Sequence, residues 1–218
     1  MNNIFSFLVT EDNGLTTAGY IAAAIVIFAL VILGSLLAGN KRKIGVKELT
    51  FSALALALAY VTSSFRMIRM PLGGSVTPFS MLFVTLIGYW YGPATGLTAS
   101  IAYGFLQLVQ GPYVVSLPQL LFDYVFAFGA LGLSGFFHKA KHGLIIGYLV
   151  GITGRFIFSA LSGIIFFAEY TPEGWSPELY SIAYNGAYIY LEGAITVALL
   201  LIPVVKKAME QVKQMAVS

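Results

Sequence analysis

Three ionisable residues lie inside otherwise apolar stretches of this 218-residue chain: Asp123, Arg155 and Glu192. Asp123 sits in the middle of LPQLLFDYVFAF, residues 117–128. A charge at the centre of a membrane-spanning helix costs roughly 2.5–3.5 kcal/mol on insertion scales, so such a residue turns inward to a partner or a ligand. Two readings follow. In one, Arg155 pairs with Asp123 or Glu192 and ties helices together. In the other, the polar groups face a small-molecule cavity. Position along the stretches places Asp123 in the outer half of its helix, and Arg155 and Glu192 near the middle of theirs. Glu192 is therefore the better-matched structural partner for Arg155, and Asp123 is the group left to meet a ligand.

Aromatic residues gather at the depth of Asp123. Tyr113 precedes its stretch, while Phe166, Phe167 and Tyr170 close the following one. Trp175, Tyr180, Tyr184, Tyr188 and Tyr190 surround the start of the last, with Asn185 among them. Tyr180, Tyr184 and Tyr188 recur at four-residue spacing and share one helix face. An interfacial aromatic belt is one account of such a group. Around a carboxylate, the same rings suit a flat cation. Each ring face attracts a cation by about 0.5–1 kcal/mol, more when dry, and a carboxylate accepts hydrogen bonds from an amino group. Glu169, Glu173 and Glu178 in the neighbouring loop mildly favour cations as well.

Other chemistries are excluded. No GxxxxGK[ST] is present, so the chain does not hydrolyse ATP through a P-loop. His138 and His142 flank a lysine-bearing loop, and neither HExxH nor GxSxG occurs. With no cysteine, thiol catalysis and cysteine metal sites fall away. No enzyme, metal or cofactor is expected. A net charge of +3, scattered along the chain, does not suit nucleic acid.

The elements that position these residues follow from composition. The chain is 58% hydrophobic and 10% charged, with mean hydropathy +0.85. Soluble domains are about 45–50% apolar and about 25% charged, which places this chain in a lipid bilayer. Seven crossings are expected: 17–38, 47–65, 79–91, 94–110, 115–137, 143–168 and 179–205. Thr17–Ala38 reads as an uncleaved anchor, since acidic residues precede it and KRK at 41–43 follows. The stretch RMIRMPLGGSVTP, residues 66–78, is too rich in Gly and Pro for regular helix and suits a flexible lid. With the C-terminus in the cytoplasm and the N-terminus outside, residues 41–43, Lys47, Lys139, Lys141 and the tail lysines fall inside. Only Arg66 and Arg69 fall outside, the asymmetry expected of a correctly threaded bundle in the cell membrane.

ALALALA at 53–59 offers small residues, with Ala53 and Ala57 in one register and Ala55 and Ala59 in another. It suits the close approach of a second helix, either within the chain or from a partner.

MPLGGSVTPFSML, YVVSLPQLLFDYVFAFGALGLSGFF, LSGIIFFAEY and YSIAYNGAY, in this order and spacing, resemble the thiamine-specific substrate-binding component (S component) of energy-coupling factor vitamin transporters. The resemblance covers about residues 47–205. It implies an all-α integral membrane protein with a six-helix S-component core at 46–218. Residues 1–45 add a polar segment and one N-terminal transmembrane helix. It also implies high-affinity capture of thiamine, with a transmembrane coupling protein and two ATPase subunits as partners.

Carried over by position, the resemblance puts Asp123 in place of the acidic thiamine contact. Tyr180 and Asn185 stand in the YSxxxN motif, with Tyr184 beside them. Phe167 takes a ring-stacking position, Tyr113 an aromatic position before the acidic helix, and the alanine face the docking surface for the coupling protein. Ser159 stands where the family often has His, which leaves open a thiamine precursor or another vitamin. A non-transport structural membrane protein, its ionisable residues paired with each other, is the reading from a different class.

Overall fold

Backbone groups inside a bilayer must be satisfied within their own segment, and the apolar runs meet this demand as helices. The computed structural model describes residues 5–8, 10, 15–22, 25 and 45–218. Most of the expected crossing Thr17–Ala38, and the basic run at 41–43, lie outside the described residues. From residue 45 onward the helices are α1 Val46–Ser64, α2 Ser80–Tyr91, α3 Pro93–Gln107, α4 Leu117–Phe137, α5 Gly143–Phe166, α6 Pro177–Leu201 and α7 Pro203–Val217. By length and composition α1, α4 and α5 can each cross a membrane alone. The 12-residue α2 is shorter; at 1.5 Å per residue it spans about 18 Å of a hydrocarbon layer about 30 Å thick.

Chain punctuation sets these limits. Gly92, at φ 90°, ends α2, and Pro93 opens α3 where a missing N–H costs nothing. Ser116 and Ser176 cap α4 and α6 by accepting from the amides of Gln119 and Leu179. Residues 66–78 form a small antiparallel hairpin, β1 Ile68–Arg69 against β2 Ser75–Val76, turned by Pro71–Gly73.

Two expectations change. The last crossing does not run on to residue 205. It stops at Leu201, and α7 leaves at 88°, because Pro203 supplies no amide and disfavours helical geometry at Ile202. The alanine face also divides. Ala55 and Ala59 are buried inside the bundle, where the Tyr103 hydroxyl donates to the Ala59 carbonyl, while Ala53 and Ala57 are exposed. Residues two apart on a helix stand about 200° apart, so the two registers cannot share a surface.

Tyr103, Tyr148, Leu131 and Ile152 are fully buried at the centre, where glycines let α3, α4 and α5 cross closely. A Cβ on Gly132 would lie 2.5 Å from the Leu97 Cα, whereas one on Gly45 would meet nothing. Gly132→Ala should therefore lower stability by about 1–3 kcal/mol, as overpacking does, and Gly45→Ala should not. Thermal unfolding in detergent measures both; equal melting temperatures would contradict this crossing.

Candidate functional site

Asp123 owes its orientation to a change of helix pitch. α4 starts as α-helix, opens into wide i→i+5 turns over Leu121–Phe126, and tightens into 3₁₀ turns over Ala130–Phe137. Wide turns of this kind recur at functional sites because they re-aim side chains. Here the wide segment carries Asp123 on the wall of a cavity of about 200 Å³.

Gln119 holds the carboxylate in place. Its side chain is buried, and its amide donates to Asp123 Oδ2 at 2.5 Å and to the Tyr113 carbonyl at 3.2 Å. Its Oε1 accepts from the Val115 amide at 3.1 Å. The segment before α4 and the carboxylate are thus tied to one side chain.

All seven residues expected at a ligand site line this cavity: Asp123, Tyr113, Ser159, Phe167, Tyr180, Tyr184 and Asn185. Tyr113 and Phe167 place their ring centroids 5.9 Å apart, and the Tyr113 hydroxyl meets that of Tyr170 at 3.1 Å. This contact holds the exposed Tyr170 phenol above its ordinary pKa. Tyr180, Tyr184 and Tyr188 pack in sequence, the first pair tilted and the second edge-on, with centroids 5.9 and 5.8 Å apart, as their four-residue spacing predicts. Asn185 donates to the Ser181 carbonyl at 3.0 Å and accepts from the Tyr188 hydroxyl at 3.0 Å. Gly163 permits this approach of α5 and α6, since a Cβ there would sit 2.1 Å from Ser181 Oγ.

The hairpin 66–78 closes one side. The Tyr184 hydroxyl accepts from the Gly74 amide at 2.9 Å and donates to the Pro71 carbonyl. Gly74 is required there, because a Cβ would come 2.6 Å from that hydroxyl oxygen.

The expected pair of Glu192 and Arg155 does not form. Glu192 instead accepts from the Thr77 amide at 2.9 Å, the Thr77 hydroxyl at 2.8 Å and the Met81 amide at 3.3 Å. Helix α2 enters through Phe79 at φ 65° with no side-chain cap of its own. Glu192 supplies the acceptor that its first turn lacks and sits at the positive end of its dipole. Arg155 lines the cavity with its guanidinium 4.3 Å from the centre of the Phe128 ring and its Nε buried without a partner. Gln119 and Tyr124, whose hydroxyl accepts from the Tyr113 amide at 3.0 Å, also line the cavity unforeseen. The signal for Gln119 was its place four residues before Asp123, one turn back on the same face.

A family model described as "Thiamine transporter protein" matches residues 49–212. The thiamine transporter ThiT of Bacillus subtilis (strain 168) is 34% identical over 152 residues, 63% of this chain and 78% of that protein. A solved structure of ThiT from Listeria monocytogenes has the same fold, with a TM-score of 0.59 at 24% identity, over 70% of this chain and 92% of that one.

The hairpin contacts can be tested without any ligand. Tyr184→Phe removes both hydrogen bonds to residues 71 and 74. At about 1 kcal/mol net, amide exchange in the hairpin should rise about fivefold while the helices exchange as before. Unchanged exchange at Gly74 would show that Tyr184 does not hold the hairpin.

Proposed function

This chain belongs to the thiamine transporter protein family, and on that premise we propose that the cavity beneath the 66–78 hairpin is where it holds thiamine. The protein is a multi-pass membrane protein of thiamine uptake and not an enzyme. The observation that carries the site is the orientation of Asp123. Its carboxylate faces an aromatic-walled cavity, and neither lipid nor an ion pair with Arg155 takes it up.

Thiamine joins an aminopyrimidine to a cationic thiazolium ring. Asp123 accepts a hydrogen bond from the amino group, and Gln119 keeps the carboxylate aimed. Tyr113 and Phe167 on one side, with Tyr180 and Tyr184 on the other, offer ring faces to the two heterocycles. Asn185 and Ser159 add polar contacts deeper in the wall. The hairpin lies over the bound vitamin and leaves when Tyr184 releases Pro71 and Gly74.

The cavity opens among Arg66, Gln110, Tyr113 and Tyr180, at the end of the bundle opposite most of the lysines. Under the positive-inside rule this mouth faces outward and the C-terminus lies in the cytoplasm. The chain captures the vitamin as the S component of an energy-coupling factor transporter, with a transmembrane coupling protein and two ATPases releasing it. On α1, Ala53 and Ala57 provide the exposed small-residue face for that docking. Residues 46–218 form the binding domain, to which 1–45 are an addition.

Calorimetric titration with thiamine tests the site. Asp123→Asn keeps the shape and removes the charge, so affinity should fall by about 1.5–3 kcal/mol, roughly ten- to a hundredfold. Affinity equal to the parent's would take Asp123 out of the site.

A further inference from the structure

A second cavity, of about 290 Å³, lies at the other end of the bundle, in the corner that Pro203 makes between α6 and α7. Lys141 and His142, in the turn before α5, and Lys206 on α7 form its basic rim. Glu210 is the carboxylate on the same wall, so positive charge prevails. Tyr89, Leu144, Ile145, Leu200 and Met209 line the rest of it and make it largely apolar. Lys213 is not among the lining residues; it donates to the His138 carbonyl at 2.5 Å, with its ammonium 3.6 Å from the centre of the ring of Tyr89, which does line the cavity.

We propose that this cavity binds the phosphate-bearing headgroup of an anionic phospholipid, whose acyl chains run up the neighbouring lipid-facing side chains. Three observations converge on that ligand. The rim offers two ammonium groups and an imidazole, which suit a phosphodiester. The first-turn amides of α5, whose residues Leu144 and Ile145 line the cavity, direct the positive end of that helix into the same corner. Close in the chain to the lining residues stand exposed apolar ones: Ile146 and Leu149 on α5, Leu201 at the end of α6 and Val204 on α7. A free phosphate gains nothing from such a surface, whereas two acyl chains do. Helix α7 packs Val205, Met209 and Val212 against the protein core and leaves Lys206 and Lys207 exposed beside the cavity. Basic pockets between transmembrane helices on the cytoplasmic side take anionic lipid headgroups by this chemistry.

The test uses the full chain in mixed phosphatidylglycerol and phosphatidylcholine bilayers, followed by extraction and native mass spectrometry of retained lipid. The parent should keep phosphatidylglycerol over phosphatidylcholine by at least about fivefold. Lys141→Gln with Lys206→Gln should abolish that preference. Lys139→Gln with Lys207→Gln removes equal charge outside the cavity and should keep it. The single variants Lys141→Gln and Lys206→Gln, each losing part of the preference, serve if the pair fails to fold. Equal loss in the two double variants would reduce the effect to general surface charge and overturn the proposal. Displacement of the lipid by inorganic phosphate, or no preference in the parent, would overturn it as well.

Discussion

A carboxylate inside a lipid-thick bundle has to be met by donors, and Asp123 takes the Gln119 amide at 2.5 Å. An ionised carboxylate offers about four lone-pair directions, so this bond orients Asp123 without exhausting it. The rest of the cavity is arranged around that remaining capacity. The i→i+5 turns of α4 aim the group, and Gln119 couples it to the backbone at Tyr113 and Val115. Tyr113, Phe167, Tyr180 and Tyr184 add ring faces to a wall that serines, glycines and Arg155 share.

Glu192 shows the other fate of a buried acid. It lies on α6 two turns below Tyr184, and the two side chains act on one continuous segment. Tyr184 holds the hairpin at Pro71 and Gly74, and Glu192 holds the start of α2 at Thr77 and Met81. One helix therefore holds both the turn of the hairpin and the start of α2. Glu192 is taken up by the Thr77 and Met81 amides and the Thr77 hydroxyl, while Asp123 accepts from Gln119 and lines the cavity. Two acids of the same chemistry, each in a helix of the same bundle, differ in what lies opposite: the start of α2 for Glu192, a cavity for Asp123.

That distinction explains how much was legible in the sequence. Helix limits from α1 to α6 follow hydropathy and Gly, Pro and Ser punctuation, and α1, α4 and α5 start and stop within a few residues of expectation. The residues expected at a ligand site came from motif order, and one cavity collects them. What failed needed three dimensions. Depth matched Glu192 to Arg155, but depth does not say that the uncapped start of α2 lies across from Glu192. Small residues at 53–59 showed a helix able to pack closely, without showing which register faced inward. Pro203 was a visible break, yet the apolar pattern carried across it hid an 88° corner.

Arg155 and Asp123 line the same cavity, and their not pairing decides what that cavity can do. A direct ion pair would satisfy both groups and present a nearly neutral wall to any ligand. Breaking such a pair to admit a cation would strand a buried guanidinium, a cost of several kcal/mol in measured cases, about 3–5. Phe128 removes the problem by taking the guanidinium over its face at 4.3 Å. The ring supplies part of the negative surface that Arg155 requires, and it is apolar, so it does not draw on the acceptors of the site. The Asp123 carboxylate is thus held by Gln119 on the cavity wall without an ion pair to Arg155, so a donor entering the cavity would break no such pair to reach it.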